Sequence, residues 1–107
     1  MTTISTDRDL LTLINVMDVD PAHCDEVVAL FAETTAKVIS GVDGFVSSNV
    51  HRSLDGTRVI NYAQWASEEA LDAVHENPDL EPYVERIDAL VISSTPILTT
   101  VAHVTEG

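Results

Sequence analysis

Apolar and polar positions change period several times along the chain, and the changes predict its elements. Leu10 to Val19 (Leu-Leu-Thr-Leu-Ile-Asn-Val-Met-Asp-Val) puts Leu11, Leu13, Asn15 and Met17 on one side and Leu10, Thr12, Ile14 and Val16 on the other. Both sides are largely apolar, so the run reads as a strand buried on both faces. Asp20-Pro21 opens a helix, with Asp20 as a cap and Pro21 in the first turn. Val27, Val28, Leu30, Phe31, Thr34, Thr35 and Val38 keep roughly helical spacing as far as Ser40, and Gly41 ends it. Ser67 caps a second helix that runs to His75 and stops at Asn77-Pro78. Residues 79–89 read as a further helical piece, with Tyr83, Val84 and Ile87 on its apolar side and Arg86 beside them. Residues 90–95 are expected to loop out before a last strand, Pro96 to Val104. Residues 1–9 are polar and expected to be flexible, which leaves one domain over 10–104 and a tail over 105–107.

Between the first two helices lies a hairpin. Two runs rich in β-branched and aromatic residues flank Leu54-Asp55-Gly56. A two-residue Asp-Gly loop would pair Leu54 with Thr57, and a three-residue loop with Gly56 left-handed would pair Ser53 with Thr57. The second sorts the faces better. It puts Phe45, Ser47, Asn49 and His51 beside Trp65, Ala63, Asn61 and Val59, and leaves Val46, Ser48, Val50, Arg52, Ile60, Tyr62 and Gln64 opposite. A one-residue slip would break up the first set. Buried amides and imidazoles need partners. Three of them on one face beside the lone Trp suggest a cavity with a few polar groups, the usual make-up of a small-molecule site. Asn15 is either a satisfied core amide or a third amide for that pocket.

The element order is β-α-β-β-α-β. It predicts an α+β, ferredoxin-like fold: an antiparallel sheet with helices on one face. The other face, carrying Ile14, Val16, Val46, Val50, Ile60 and Tyr62, has no helix to cover it. An apolar face of that size is unusual on a soluble monomer, and a homodimer packed sheet on sheet would cover it.

Charge narrows the partners. Eighteen acidic residues against five basic ones give a net charge of −13. Nucleic acid and anionic membrane surfaces are therefore poor partners. No apolar run approaches the ~18 residues of a membrane span, and Met1 to Asp9 lacks a signal-peptide pattern. The lone cysteine, Cys24, excludes an intrachain disulfide and fits a reducing cytoplasm. His23, His51, His75 and His103 fall on different elements without metal-ligand spacing, and no Gly-rich loop is present to cradle phosphate.

With that order, the strings Gly44-Phe45, Ser53-Leu54-Asp55-Gly56 and Asn61-Tyr62-Ala63-Gln64-Trp65-x-Ser67 make the chain resemble the antibiotic biosynthesis monooxygenase family from about Leu10 to Val104. The Trp-x-Ser at the strand-to-helix junction is the most specific part. The resemblance implies a dimeric α+β barrel. It looks closest to the small quinone-forming oxygenases of aromatic polyketide pathways, which oxidise an anthrone-type ring with O2 and no flavin, haem or metal. It implies Asn61 and Trp65 as polyketide-contacting groups and Asn15 as a first-strand amide, with His51 and Arg86 as further pocket residues. A helix tyrosine seen in some of these enzymes has no counterpart around Leu71-Asp72. The haem-degrading branch needs a helix Trp where Val74 stands, so His75 is weak support for a haem.

The expected chemistry is cofactor-independent. His51 is read as the proton acceptor, Asn61 and Asn15 as donors to a developing oxyanion, and Trp65 as a stacking or N–H group. Asn49, Phe45, Arg86 and Tyr83 complete the expected substrate contacts. The competing class is a binding or stability module of the same fold without catalysis.

Overall fold

The computed structural model describes residues 2–107. The order is β1 (Leu11–Val19), α1 (Cys24–Lys37), β2 (Phe45–Arg52), β3 (Arg58–Trp65), α2 (Glu68–His75), α3 (Glu81–Asp88) and β4 (Val91–Thr99). The strands form one sheet in the order β2-β3-β1-β4, with every neighbouring pair antiparallel. This is the α+β, ferredoxin-like arrangement that the element order predicts.

The helix starts follow the sequence. Asp20 accepts from the amide of Ala22 at 2.9 Å and caps a short 3-10 turn, Pro21–His23, that leads into α1. Ser67 accepts from the amide of Ala70 at 3.1 Å and caps α2. The first helix stops three residues earlier than expected, at Lys37, and its tail through Gly41 tightens into a second 3-10 turn. The last strand differs more. Residues 91–95, expected as loop, begin β4, and residues 100–107 have no regular structure. Val91 and Ile92 favour extended backbone, and Pro96 is tolerated because β4 is an edge strand.

The hairpin register departs from expectation at one end only. Ser53 pairs with Arg58, through Ser53 N–H to the Arg58 carbonyl at 3.0 Å, so the loop has four residues, Leu54 to Thr57. Asp55 organises it by accepting from the amide and hydroxyl of Thr57 and from the hydroxyl of Ser53. Those bonds pull the Asp55 carboxyl down to about 2. Gly56, at φ +73°, takes the left-handed position. From there Arg52 pairs with Val59 and Ser47 with Gln64, one step off the expected pairing. A bulge between Phe45 and Ser47 then absorbs one residue, and Phe45 faces Trp65 as expected.

The consequence is a redistribution of faces. Phe45, Ser48, Val50 and Arg52 lie with Trp65, Ala63, Asn61 and Val59 on the helix-covered side. Asn49 and His51, expected there, lie on the opposite side with Tyr62 and Ile60. Val50 accordingly packs against the core cluster of Met17, Val19, Cys24, Val27 and Val59, not on the open face. Arg52 reaches α1 and pairs with Asp25 at 2.9 Å.

On the helix-free side, Ile14 and Val16 of β1 stand beside Tyr62 and Ile60 of β3 and Ile97 and Thr95 of β4. Ile97 is 47 % exposed. The segment before β1, expected to fray, is tied to this face. Thr2 donates its hydroxyl to Asn49 Oδ1 at 2.9 Å, and Gln64 Nε2 donates to the Thr3 carbonyl at 2.7 Å. Thr12 and Gln64 are buried. Among the described residues, no helix is long and apolar enough to cross a membrane.

Candidate active site

Two apolar clusters form between the sheet and the helices. One gathers Met17, Val19, Cys24, Val27 and Val59, and the other Ala63, Trp65, Leu71 and Val74. The strand alternation that builds them leaves one row between them. In that row Asn15 of β1 sits directly opposite Asn61 of β3. Residues i and i+2 share a face, so Leu13 and Met17 flank Asn15 as Ala63 and Val59 flank Asn61. Two amides thus sit in the middle of an apolar layer, where polar groups cost free energy unless they bond.

A cavity of about 190 Å³ opens over this row. One water needs ~10–15 Å³, so this space is of ligand scale and not a packing gap. Asn15, Asn61, Phe45, Trp65, Ser48 and Ser94 line it from the sheet. Phe31 and Thr34 of α1, Leu71, Val74 and His75 of α2, and Val84, Ile87 and Asp88 of α3 line it from the helices. His75, Val84 and Asp88 are exposed, which marks the mouth.

The polar atoms are arranged with one sense. Ser48 donates its hydroxyl to Asn61 Oδ1 at 2.8 Å, and Ser94 donates to Asn15 Oδ1 at 3.4 Å. Both amide oxygens are occupied, and neither amide NH2 bonds to another described residue. Thr34 donates back to the Leu30 carbonyl at 2.6 Å and is satisfied within α1. Trp65 is 3 % exposed, and its indole N–H is a buried side-chain group without a partner among the described residues. A buried donor left unpaired costs about 1–3 kcal/mol. Trp65 is otherwise well held, edge-on to Phe45 with ring centroids 5.4 Å apart. An apolar cavity that presents N–H donors suits a flat, oxygen-bearing ligand.

The structure therefore brings together Asn15, Phe45, Asn61 and Trp65 of the expected set. Four others lie outside the cavity. His51 is exposed on the helix-free face. Asn49 is on the same face, donating to the Tyr62 carbonyl at 3.1 Å. Arg86 and Tyr83 lie together on the side of α3 toward α1, away from the cavity, with the guanidinium 6.0 Å from the ring centre and 3.7 Å from Glu33. Residues that sequence reasoning missed include Ser48, Ser94, His75 and Asp88. His75 had a usable signal: it is four residues after Leu71, and residues at i and i+4 share a helix face. Ser48 had none, because its direction depends on the bulge. Among the described residues, no three His, Cys, Asp or Glu side chains come together as a metal site.

Comparison with known proteins identifies the family. The antibiotic biosynthesis monooxygenase family matches residues 10–86. Tetracenomycin-F1 monooxygenase of Streptomyces glaucescens is 40 % identical over 103 residues, covering 96 % of this chain and 91 % of that protein. Among solved structures, the chain is similar to a monooxygenase from the gene ActVA-Orf6 of Streptomyces coelicolor, determined in complex with nanaomycin D. The TM-score is 0.83 at 28 % identity, over 94 % of this chain and 95 % of that one. It is also similar to SnoaB, a cofactor-independent oxygenase from Streptomyces nogalater, with a TM-score of 0.76 at 27 % identity over 90 % and 96 % of the two chains. The chain belongs to the antibiotic biosynthesis monooxygenase family and is, by that membership, an oxidoreductase.

Proposed function

We propose that this protein oxidises an anthrone-type aromatic polyketide to a quinone with O2 and without a cofactor. The observation that carries the reading is the donor set in the cavity: two amide NH2 groups, of Asn15 and Asn61, on an apolar floor that includes the Trp65 ring. The relatives' names, a tetracenomycin-pathway monooxygenase and a cofactor-independent oxygenase, support it.

The chemistry needs little from the protein. O2 does not react directly with a closed-shell ring, but an anthrone anion can give it one electron. Radical recombination puts a peroxide on the methylene carbon. Loss of water then leaves the new carbonyl, so one oxygen enters the product and the other leaves as water. The protein has to remove a proton, exclude solvent and hold the anion. Donors from Asn15 and Asn61 favour the ring oxygen most when it carries negative charge, and the Trp65 ring supplies an apolar wall. With His51 on the other face, we assign the proton to His75, the imidazole that lines the cavity.

Oxygen uptake with a hydroxylated anthrone in chelator-treated buffer tests the reading, with one O2 consumed per quinone formed. Quinone binding without oxygen uptake would instead identify a binding module, and a haem absorbance band that survives dialysis would point to the haem-degrading branch. His75→Gln should lower turnover, whereas His51→Gln should leave it unchanged. Loss of turnover in His51→Gln alone would overturn the assignment of the base.

We further propose that Ile14, Val16, Ile60, Tyr62 and Ile97 form the contact face of a homodimer. An interface of standard size buries about 800 Å² per partner and persists at micromolar concentration. Light scattering should report a dimer, and Ile60→Asp should dissociate or unfold it, since a buried unpaired carboxylate is costly. A monomer at that concentration would contradict the proposal.

A further inference from the structure

The donor sense of the cavity depends on which way each asparagine amide is turned. The terminal torsion of Asn is broad and roughly two-fold, so an amide can present either its NH2 or its oxygen. An oxygen turned toward a developing oxyanion would repel it. Something must therefore hold the amide of Asn61 with its oxygen away from the cavity.

The structure assigns that task to Ser48: we propose that it is a positioning residue, held in the cavity wall by the β2 bulge, that locks Asn61 as a donor. This rests on the function proposed above. Ser48 pairs with Ala63, two residues along β3 from Asn61, and its hydroxyl reaches diagonally to Asn61 Oδ1 at 2.8 Å. A hydroxyl donating its one proton to the amide oxygen leaves the NH2 pointing the other way. Ser48 reaches that side of the sheet only because of the irregularity between Phe45 and Ser47. With Phe45 fixed beside Trp65, unbroken alternation would face Ser47 inward and turn Ser48 out. Ser47 instead lies on the helix-free side and donates to Gln64 Oε1 at 2.9 Å. Bulges next to active sites commonly re-aim a side chain in this way.

The test is a double-mutant cycle on the intact protein, with anthrone turnover and melting temperature read on each preparation. Ser48→Ala should lower kcat about tenfold, the worth of one oriented hydrogen bond, with KM little changed. Ser48→Thr keeps the hydroxyl on a strand that tolerates β-branching, and should recover most of that loss. In an Asn61→Ala background, Ser48→Ala should cost less than about twofold, because the two residues act as one unit. Equal losses in both backgrounds would overturn the proposal, as would full activity of a folded Ser48→Ala protein. Should Asn61→Ala itself retain full turnover, the oxyanion reading of the cavity fails first, and that outcome is distinct from a failure at Ser48 alone.

Discussion

Asn61→Ala should lower turnover of an anthrone by roughly 10²-fold or more, the usual cost of removing one oxyanion donor. Its melting temperature should barely move. The amide makes a single side-chain bond, to Ser48, a half-buried hydroxyl that water can serve once Asn61 is gone. Losing that bond costs about 1 kcal/mol at most. Truncation also removes a polar group from the row between two apolar clusters, which offsets part of the loss. The two roles open to Asn61 thus separate on one preparation. A scaffold amide would show early melting with normal turnover, and that result would remove Asn61 from the site. An acting amide shows normal melting with lost turnover.

Asn61 and Trp65 were legible in the sequence because β3 obeys strict alternation from Val59 to Trp65, and no irregularity intervenes. Asn15 was legible by the same rule along β1, opposite Asn61. The other hairpin strand was not. Its expected register depended on the loop, and the Asp55 side chain closes a four-residue loop where Gly56 alone suggested three. That error flips Ser47, Asn49 and His51 to the far face. The bulge then corrects the count before Phe45, so the aromatic pair with Trp65 forms as if nothing had happened. A pattern reading has no way to see two compensating irregularities, because each leaves hydrophobicity unchanged. His51 leaves the site with that register, whereas His75 joins it on a helix face that its spacing from Leu71 already marks. The extent of β4 was missed differently. Pro96 reads as a strand start, but at a sheet edge its missing N–H costs nothing.

The helix-free face shows how far composition reaches. Ile14, Val16, Ile60 and Tyr62 were placed there correctly from alternation, while Val50 moved into the core with the register. The docking of Thr2 and Thr3 on Asn49 and Gln64 could not be read at all. Polar terminal residues carry no periodicity, and their bonds depend on amides whose face was itself uncertain.

Gly44→Ala should be the most damaging single-methyl change in the chain, costing about 3 kcal/mol or more. Two independent effects add. Gly44 sits at φ +88°, where an L-residue costs about 1–2 kcal/mol. An added Cβ would also stand 2.5 Å from the Cβ of Ala70, far inside the ~3.5–4.0 Å of an ordinary carbon contact. Neither carbon can rotate away. Relief requires α2 to move, yet both of its neighbours are pinned: Ala66 N–H donates to the Gly44 carbonyl at 2.7 Å, and Ser67 caps the helix on Ala70. At ~4 °C or more per kcal/mol for a domain of this size, melting should fall by at least about 12 °C. Turnover of the folded fraction should fall too, because α2 carries Leu71, Val74 and His75 into the cavity wall. The second-site variant Ala70→Gly separates the two effects. It removes the clash but keeps the strained φ, and it adds about 1 kcal/mol for a glycine within a helix. The double variant should therefore melt above Gly44→Ala and below the parent. Wild-type melting of Gly44→Ala alone would mean that α2 does not pack on the mouth of the hairpin, and the position of His75 at the cavity would have to be given up with it.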